Sequence, residues 1–276
     1  MADPTAEEEA ELEASKAPLL EHLVELRSRI VKSLIAFLIA FIICFFFAKN
    51  IYGFLVQPLA HAFAGQTGRH MIFTALYETF FTYVKVAMFG AICLAFPFMA
   101  AQLWLFIAPG LYRNERKAFL PFLLATPVMF LVGAAFVYFV MLPYAIRFFL
   151  SYEVPGGAGG LPIELEARVS EYLSFVTTLI FAFGVCFELP VLLTLLGRVG
   201  IITSSGLKKA RRYAIVGVFA VAAVLTPPDV FSQLSLAFPL VLLYEISIWC
   251  VRFMEKQRVA EEAKAASDAA RNIQPT

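Results

Sequence analysis

The sequence predicts an all-α membrane protein that crosses the bilayer six times, with its N- and C-termini on the cytoplasmic side. Hydrophobic residues make up 61% of the 276-residue chain and charged residues only 16%, whereas a soluble chain is about a quarter charged. Six apolar stretches divide the sequence, and the lysines and arginines fall almost entirely in alternate gaps between them. Because cytoplasmic loops carry the excess of basic residues, this alternation predicts the orientation of the chain.

The six spans differ in length. They are predicted at residues 33–48, 79–108, 118–142, 172–196, 213–226 and 234–251. A helix of about 20 residues crosses a hydrocarbon core roughly 30 Å thick, so the second span is long enough to tilt. The fifth span has only about 14 residues before two prolines, which is roughly 21 Å at 1.5 Å per residue. We therefore expect the bilayer to be thinner around the fifth and sixth spans.

The membrane domain is predicted over residues 18–252, between two charged tails. Residues 1–17 form an acidic stretch that is typical of a disordered tail. From Pro18 onward leucines recur at helical spacing, which indicates an amphipathic segment at the membrane surface ahead of the first span. Residues 253–276 are charged and alanine-rich, as in a solvated cytoplasmic tail. The acidic leader resembles neither a signal peptide nor a transit peptide, so we expect a bacterial inner membrane.

Two charged residues lie inside predicted spans. An ionised carboxylate at bilayer depth costs at least a few kcal/mol, so Glu188 is expected to face a cavity or to be protonated. It is either a group on a transport path or a hydrogen-bonded structural acid, and Pro190 is expected to kink the helix beside it. Lys85 is expected to extend toward the membrane surface. An ion-coupled small-molecule carrier that uses Glu188 and Lys85 is the alternative function.

Two acids stand in loops that are otherwise basic. Glu25 lies in HLVELRSR (22–29) and Glu115 in LYRNERK (111–117). Carboxylates bind guanidinium groups through two parallel hydrogen bonds, so this pattern suits an arginine-bearing ligand. Local ion pairing, such as Glu25 with Arg29 one helical turn away, explains the same pattern, and the periodicity alone favours this explanation.

The sequence carries no signal for an enzyme. Its three histidines are scattered, and it contains no glycine-rich phosphate loop and no arrangement of serine, histidine and aspartate typical of a hydrolase. The four cysteines fall inside apolar spans without metal-ligand spacing, as buried free cysteines do. We therefore expect no catalytic residue, no cofactor and no metal.

Five segments, in order along the chain, resemble the TatC family, the multispanning signal-receptor subunit of the twin-arginine protein translocase. They are HLVELRSR (22–29), FIAPGLYRNERK (106–117), YLSFV (172–176), FAFGVCFELP (181–190) and LTPPDVFSQ (225–233). The resemblance implies six helices curved into a concave cup, with short fifth and sixth helices. It also implies a receptor that binds twin-arginine signal peptides at its cytoplasmic face and recruits single-span partners to export folded proteins.

The resemblance also implies roles for individual residues. Signal-peptide binding falls to Glu25, Arg27, Arg29, Phe106, Leu111 and Glu115. Glu188 matches an intramembrane polar group, Asp229 an outer-loop acid, and Thr226 and Gln233 contacts to partner subunits. The implied partners are TatA- and TatB-like single-span subunits, signal peptides of folded cargo and membrane lipid, within an oligomeric complex and without nucleic acid.

Overall fold

The structure, a computed structural model, describes residues 6–64, 68–107, 116–154, 160–225 and 230–272. Within these ranges the chain forms nine α-helices, and the only extended pairings are two isolated bridges. The helices are α1 (Ala6–Phe46), α2 (Ala48–Ala62), α3 (Glu78–Ile107), α4 (Arg116–Phe136), α5 (Leu142–Leu150), α6 (Val169–Cys186), α7 (Leu189–Val199), α8 (Ser204–Leu225) and α9 (Val230–Asn272). The all-α prediction is confirmed for this part of the chain.

Five stretches of the described chain are long and apolar enough to cross a membrane. They are His22–Phe46, Glu78–Phe106, Pro121–Leu150, Val169–Arg198 and Gln233–Ala260. The fifth predicted span, 213–226, is not among them, because it belongs to α8, whose first half carries Lys208, Lys209, Arg211 and Arg212. The helices α1 and α9 continue into both predicted tails, and the domain limits at residues 17 and 252 stay predictions.

Two of these stretches contain irregular backbone. A π-helical turn, Val137–Met141, joins α4 to α5, and the sequence analysis did not anticipate it. The fourth stretch is broken between α6 and α7, where Phe187 and Glu188 form a turn before Pro190. Proline has no N–H to donate to the preceding turn, so the kink predicted at Pro190 is confirmed.

The core is built from pairs of helices packed side by side. The helix α1 lies along α3, α4 lies against α6, and α9 contacts both α7 and α8. The largest buried cluster combines residues of α3, the π-helical turn, α6 and α9, including Val86, Val137, Leu179, Phe183 and Leu240. Burial of these side chains is part of what sets the relative positions of the helices.

Glycines allow α4 and α6 to approach closely. A Cβ atom at Gly184 of α6 would lie 2.5 Å from the ring of Phe130 in α4, and one at Gly133 would lie 2.7 Å from the carbonyl oxygen of Phe183. Phe130 is 1% exposed and also stacks on Phe96 of α3 at a ring distance of 4.0 Å. The ring therefore has little room to shift.

One carboxylate ties together the segments at the end of the bundle where α3 and α6 begin, which we call the cap (residues 68–78, 151–154 and 160–170). Glu78, the first residue of α3, accepts hydrogen bonds from the backbone N–H groups of Thr74 and Ala75. The same carboxylate accepts from the Ser170 hydroxyl at 2.7 Å and from the Arg168 guanidinium at 3.1 and 3.2 Å. The starts of α3 and α6 are thereby joined.

A second ion pair connects the remaining cap segment, 151–154, to the other two. The guanidinium of Arg69 contacts both carboxylate oxygens of Glu153, at 2.7 and 2.6 Å. The backbone N–H of Leu165 donates to the same carboxylate at 2.8 Å. Hydrogen bonding to Arg69, and then to Leu165, holds the pKa of Glu153 below its usual range. The charged form of Glu153 is thus the one that the cap requires.

We predict that Gly184→Ala destabilises the protein, because its methyl group overlaps the Phe130 ring. Overpacking of this kind costs about 1–3 kcal/mol. Thermal unfolding in detergent measures the loss. Gly217→Ala is the matched control, since a Cβ there meets nothing within 4 Å. An unchanged melting temperature for Gly184→Ala would show that α4 and α6 are not packed as described.

We predict that the Arg69–Glu153 pair makes stability depend on acid pH. Because the pKa of Glu153 is lowered by folding, its contribution is fully present above the ordinary glutamate pKa, and it is lost as the pH falls through the lowered value. Thermal melts between pH 7 and pH 3 should show a smaller acid-induced drop for Glu153→Gln than for the unmodified protein. If the melting temperatures of the two proteins fell in parallel as the pH is lowered, the Arg69–Glu153 pair would not be the source of the pH dependence.

Candidate functional site

The first predicted binding residues meet at the end of the bundle opposite the cap. We call this end the rim and define it as residues 22–29 of α1 with residues 102–106 of α3. Glu25 and Arg29 lie one turn apart on α1 and form an ion pair at 3.0 Å. The second terminal nitrogen of Arg29 donates to the side-chain oxygen of Gln102 in α3 at 3.1 Å. Arg29 therefore links α1 to α3.

Two stacked rings join α1 and α3 at the same end of the bundle. The imidazole of His22 stacks on Phe106, with ring centroids 4.2 Å apart and planes 16° from parallel. Because α1 and α3 run in opposite directions, His22 meets Phe106 and Arg29 meets Gln102, with Glu25 between the two contacts. Phe106, which was singled out from the sequence, is thus in place beside Glu25.

The remaining predicted residues are distributed differently. Arg27 is exposed, and its position two residues after Glu25 puts it on the opposite side of α1. Gln233 donates to the Phe219 carbonyl at 3.3 Å, a contact between α9 and α8. Four predicted residues lie outside the described part of the chain: Leu111, Glu115, Thr226 and Asp229.

A cavity of about 790 Å³ opens between α1, α3 and α6, next to the rim. Its walls are mainly apolar side chains such as Phe37, Phe96 and Phe181. The polar side chains of the lining are Arg29, Ser33, Gln102, Trp104, Thr126 and Glu188. Ligand pockets commonly combine a mainly apolar wall with a few placed polar groups. The cavity therefore joins the charged rim to an apolar interior.

Glu188 lies in the wall of this cavity, at the break between α6 and α7. Its Oε1 atom is buried and has no hydrogen-bond partner among the described residues. A buried polar atom without a partner is rare and costly, so such a group calls for an explanation. The Thr126 hydroxyl and the backbone of Phe130 also interact with this carboxylate, so Glu188 both faces the cavity and is held by α4. The role of Glu188 stays a prediction.

The arrangement needed by the alternative carrier is not found. The cavity wall in the described part of the chain includes Glu188, whereas Lys85 is exposed and lies near the cap end of α3. Glu245, another acid in an apolar stretch, pairs with Arg211 at 2.7 Å near the start of α8. No connected series of titratable groups crosses the part of the bundle that the structure describes.

Sequence reasoning missed three residues of the site. Gln102 is only 8% exposed, and Thr126 only 3%. The indole N–H of Trp104 donates to the Thr126 hydroxyl at 3.0 Å. A glutamine within an apolar span is a visible signal, since its amide needs a partner at that depth. That partner, Arg29, lies on another helix, which no local pattern reveals.

Comparison with known proteins gives a consistent result. A family model described as Sec-independent protein translocase protein (TatC) matches residues 21–239. A TatC protein of this name from Magnetococcus marinus is 47% identical over 257 residues, which cover 92% of this chain and 92% of the relative. Its counterpart from Rickettsia prowazekii is 45% identical over 238 residues, 86% of this chain and 94% of the relative. The Escherichia coli protein is 40% identical over 246 residues, 89% and 92% of the two chains.

A solved structure has the same fold. The crystal structure of a twin arginine translocase receptor, TatC, superposes with a TM-score of 0.73 at 38% sequence identity. The match covers 84% of this chain and 99% of that structure.

Proposed function

The chain belongs to the TatC family, the receptor component of the Sec-independent protein translocase, and from this we propose that its rim binds twin-arginine signal peptides. The family is a translocase component and not a catalytic enzyme. The observation that carries the proposal is Glu25, a half-buried carboxylate beside a large apolar cavity. We propose that Glu25 and Glu115 each accept one guanidinium of the signal.

The two parts of a signal peptide suit the two parts of this site. A signal begins with a positively charged region, which is followed by an apolar segment of about 7–15 residues. The rim offers a carboxylate for the charged part, and the cavity of about 790 Å³ offers apolar walls for the segment that follows. Arginine is preferred over lysine because its planar fork makes two parallel bonds to a carboxylate, which a compact ammonium cannot reproduce.

We further propose the following orientation in a bacterial inner membrane. The helix α8 forms a short crossing, the fifth in chain order, with the basic residues 208–212 on the cytoplasmic side and the apolar half from Tyr213 to Leu225 in the bilayer. The rim and both termini are then cytoplasmic, in agreement with the distribution of basic residues. The cap lies on the outer side.

The partners are proposed to assemble where α8 meets α9. Gln233 already bridges the two helices there, and Thr226 and Asp229 lie in the connection between them. The exposed side of α8 carries small residues such as Gly217 and Ala220, which permit close approach of another helix in a membrane. We propose that TatA- and TatB-like single-span subunits pack on this side, so that passage of the cargo is separate from signal recognition at the rim.

We predict that Glu25→Gln and Glu115→Gln each weaken binding of an Arg-Arg signal peptide about ten- to a hundredfold. Loss of one charged hydrogen-bonding partner costs about 1.5–3 kcal/mol, and each 1.4 kcal/mol is a factor of ten. Titration of each purified variant in nanodiscs with the labelled peptide measures this. Glu164→Gln, which removes an exposed acid at the opposite end of the bundle, is the matched control.

The unmodified protein should also bind the Arg-Arg peptide more tightly than a Lys-Lys version. The double variant Glu25→Gln/Glu115→Gln should abolish export of twin-arginine cargo while insertion of the receptor into the membrane is unchanged. Equal and weak binding of both peptides, or normal export by the double variant, would refute the proposed site.

A further inference from the structure

The guanidinium of Arg29 is divided between two acceptors on different helices. One terminal nitrogen donates to Oε1 of Glu25 at 3.0 Å, and the other donates to Oε1 of Gln102 at 3.1 Å. Glu25 belongs to the same helix as Arg29, whereas Gln102 is a buried residue of α3. The arginine of the receptor thus holds the carboxylate that is proposed to receive an arginine of the signal.

This contact leaves Glu25 only partly occupied. Arg29 reaches one carboxylate oxygen through one nitrogen, although an ionised carboxylate can accept about four hydrogen bonds. The side chain of Glu25 is 33% exposed, so a ligand can approach it from the solvent. The pair nevertheless has no net charge, and a cation that approaches Glu25 also meets the positive charge of Arg29.

We propose that Arg29 is an internal competitor for Glu25 and that Gln102 is the acceptor that retains Arg29 when the signal binds. The proposal rests on the proposed role of Glu25 as a signal-binding residue. In the free receptor Arg29 donates to both acceptors. In the complex the signal guanidinium takes the Glu25 carboxylate, and Arg29 keeps its bond to the neutral amide of Gln102.

Competition of this kind sharpens the selection of arginine over lysine. A ligand must replace the bond that Arg29 makes to Glu25 before it gains any affinity. An arginine that forms two parallel bonds replaces that bond and adds another, whereas a lysine ammonium replaces a single bond without the second. Rejection of the wrong ligand by a built-in cost is a common source of specificity. Arg29 and Gln102 are therefore positioning and specificity-determining residues.

We predict that Gln102→Leu and Arg29→Met change the affinity for the signal peptide in opposite directions. Gln102→Leu removes the second acceptor and leaves Arg29 with Glu25 alone, so affinity for the Arg-Arg peptide should fall about two- to fivefold, the range measured for partly exposed ion pairs. Arg29→Met keeps the length of the side chain but removes its donors. Affinity for both peptides should then rise, and the ratio of Arg-Arg to Lys-Lys binding should fall.

The double variant tests whether the two residues act together. If Gln102 acts only through Arg29, Gln102→Leu/Arg29→Met should bind both peptides as Arg29→Met alone does. Gln57→Leu is the matched control for loss of a glutamine amide, because Gln57 lies on α2 and its contact is with Tyr138. Peptide titration in nanodiscs is paired with a thermal melt of each variant, so that loss of the fold is distinguished from loss of binding.

The outcomes separate this inference from the proposed function. Weaker peptide binding by a folded Gln102→Leu variant, with affinity restored in the double variant, would support the proposal that Arg29 competes for Glu25. A folded Gln102→Leu with unchanged affinity, or an Arg29→Met variant that binds both peptides more weakly, would overturn it. If Glu25→Gln binds the Arg-Arg peptide normally, the proposed function itself fails. Suppose instead that Glu25→Gln loses binding while the Arg29 and Gln102 variants behave otherwise than predicted. In that case only the proposal that Arg29 competes for Glu25 is wrong.

Discussion

The carboxylate of Glu78 is the contact on which the arrangement of the helices around the cavity depends. It is the first residue of α3, and it binds Arg168 and Ser170, which lie at the start of α6. Two helices that begin at one carboxylate have a fixed offset along their length. Gln102 lies about 36 Å further along α3 at 1.5 Å per residue, so small shifts at the cap would displace the rim. In a bilayer, irregular segments that would otherwise face lipid lie at such ends, where their polar groups find partners other than lipid.

The cavity follows from how polar groups are accommodated inside an apolar bundle. Pro190 ends the regular hydrogen bonding of α6, and the turn that results places Glu188 in the cavity wall. The indole N–H of Trp104 donates to the Thr126 hydroxyl in the same cavity wall, whereas Oε1 of Glu188 lacks a partner among the described residues. The same break therefore shapes the cavity and provides its polar group.

The sequence predicted those features that depend on local pattern. Apolar length located five of the spans, the proline located the kink, and the spacing of Glu25 and Arg29 suggested their ion pair. Features that depend on contacts between distant residues were not predictable in this way. Gln102 meets Arg29 across 73 positions and Ser170 meets Glu78 across 92, and neither pairing leaves a local signal. The fifth predicted span differs for another reason, because α8 combines a basic half and an apolar half in one short helix.

The position of the proposed recognition site at the rim has a physical reason. A carboxylate inside the bilayer would be expensive to keep ionised, and it would have to lose much of that charge in order to persist there. At the rim, Glu25 is 33% exposed and paired with Arg29, so the carboxylate stays accessible to a ligand. The Glu25 carboxylate can then exchange the guanidinium of Arg29 for that of the signal, so that no unpaired ion has to lose its water. The proposed recognition of arginine by exchange therefore suits a partly exposed, paired carboxylate at the end of the bundle better than an acid buried within it.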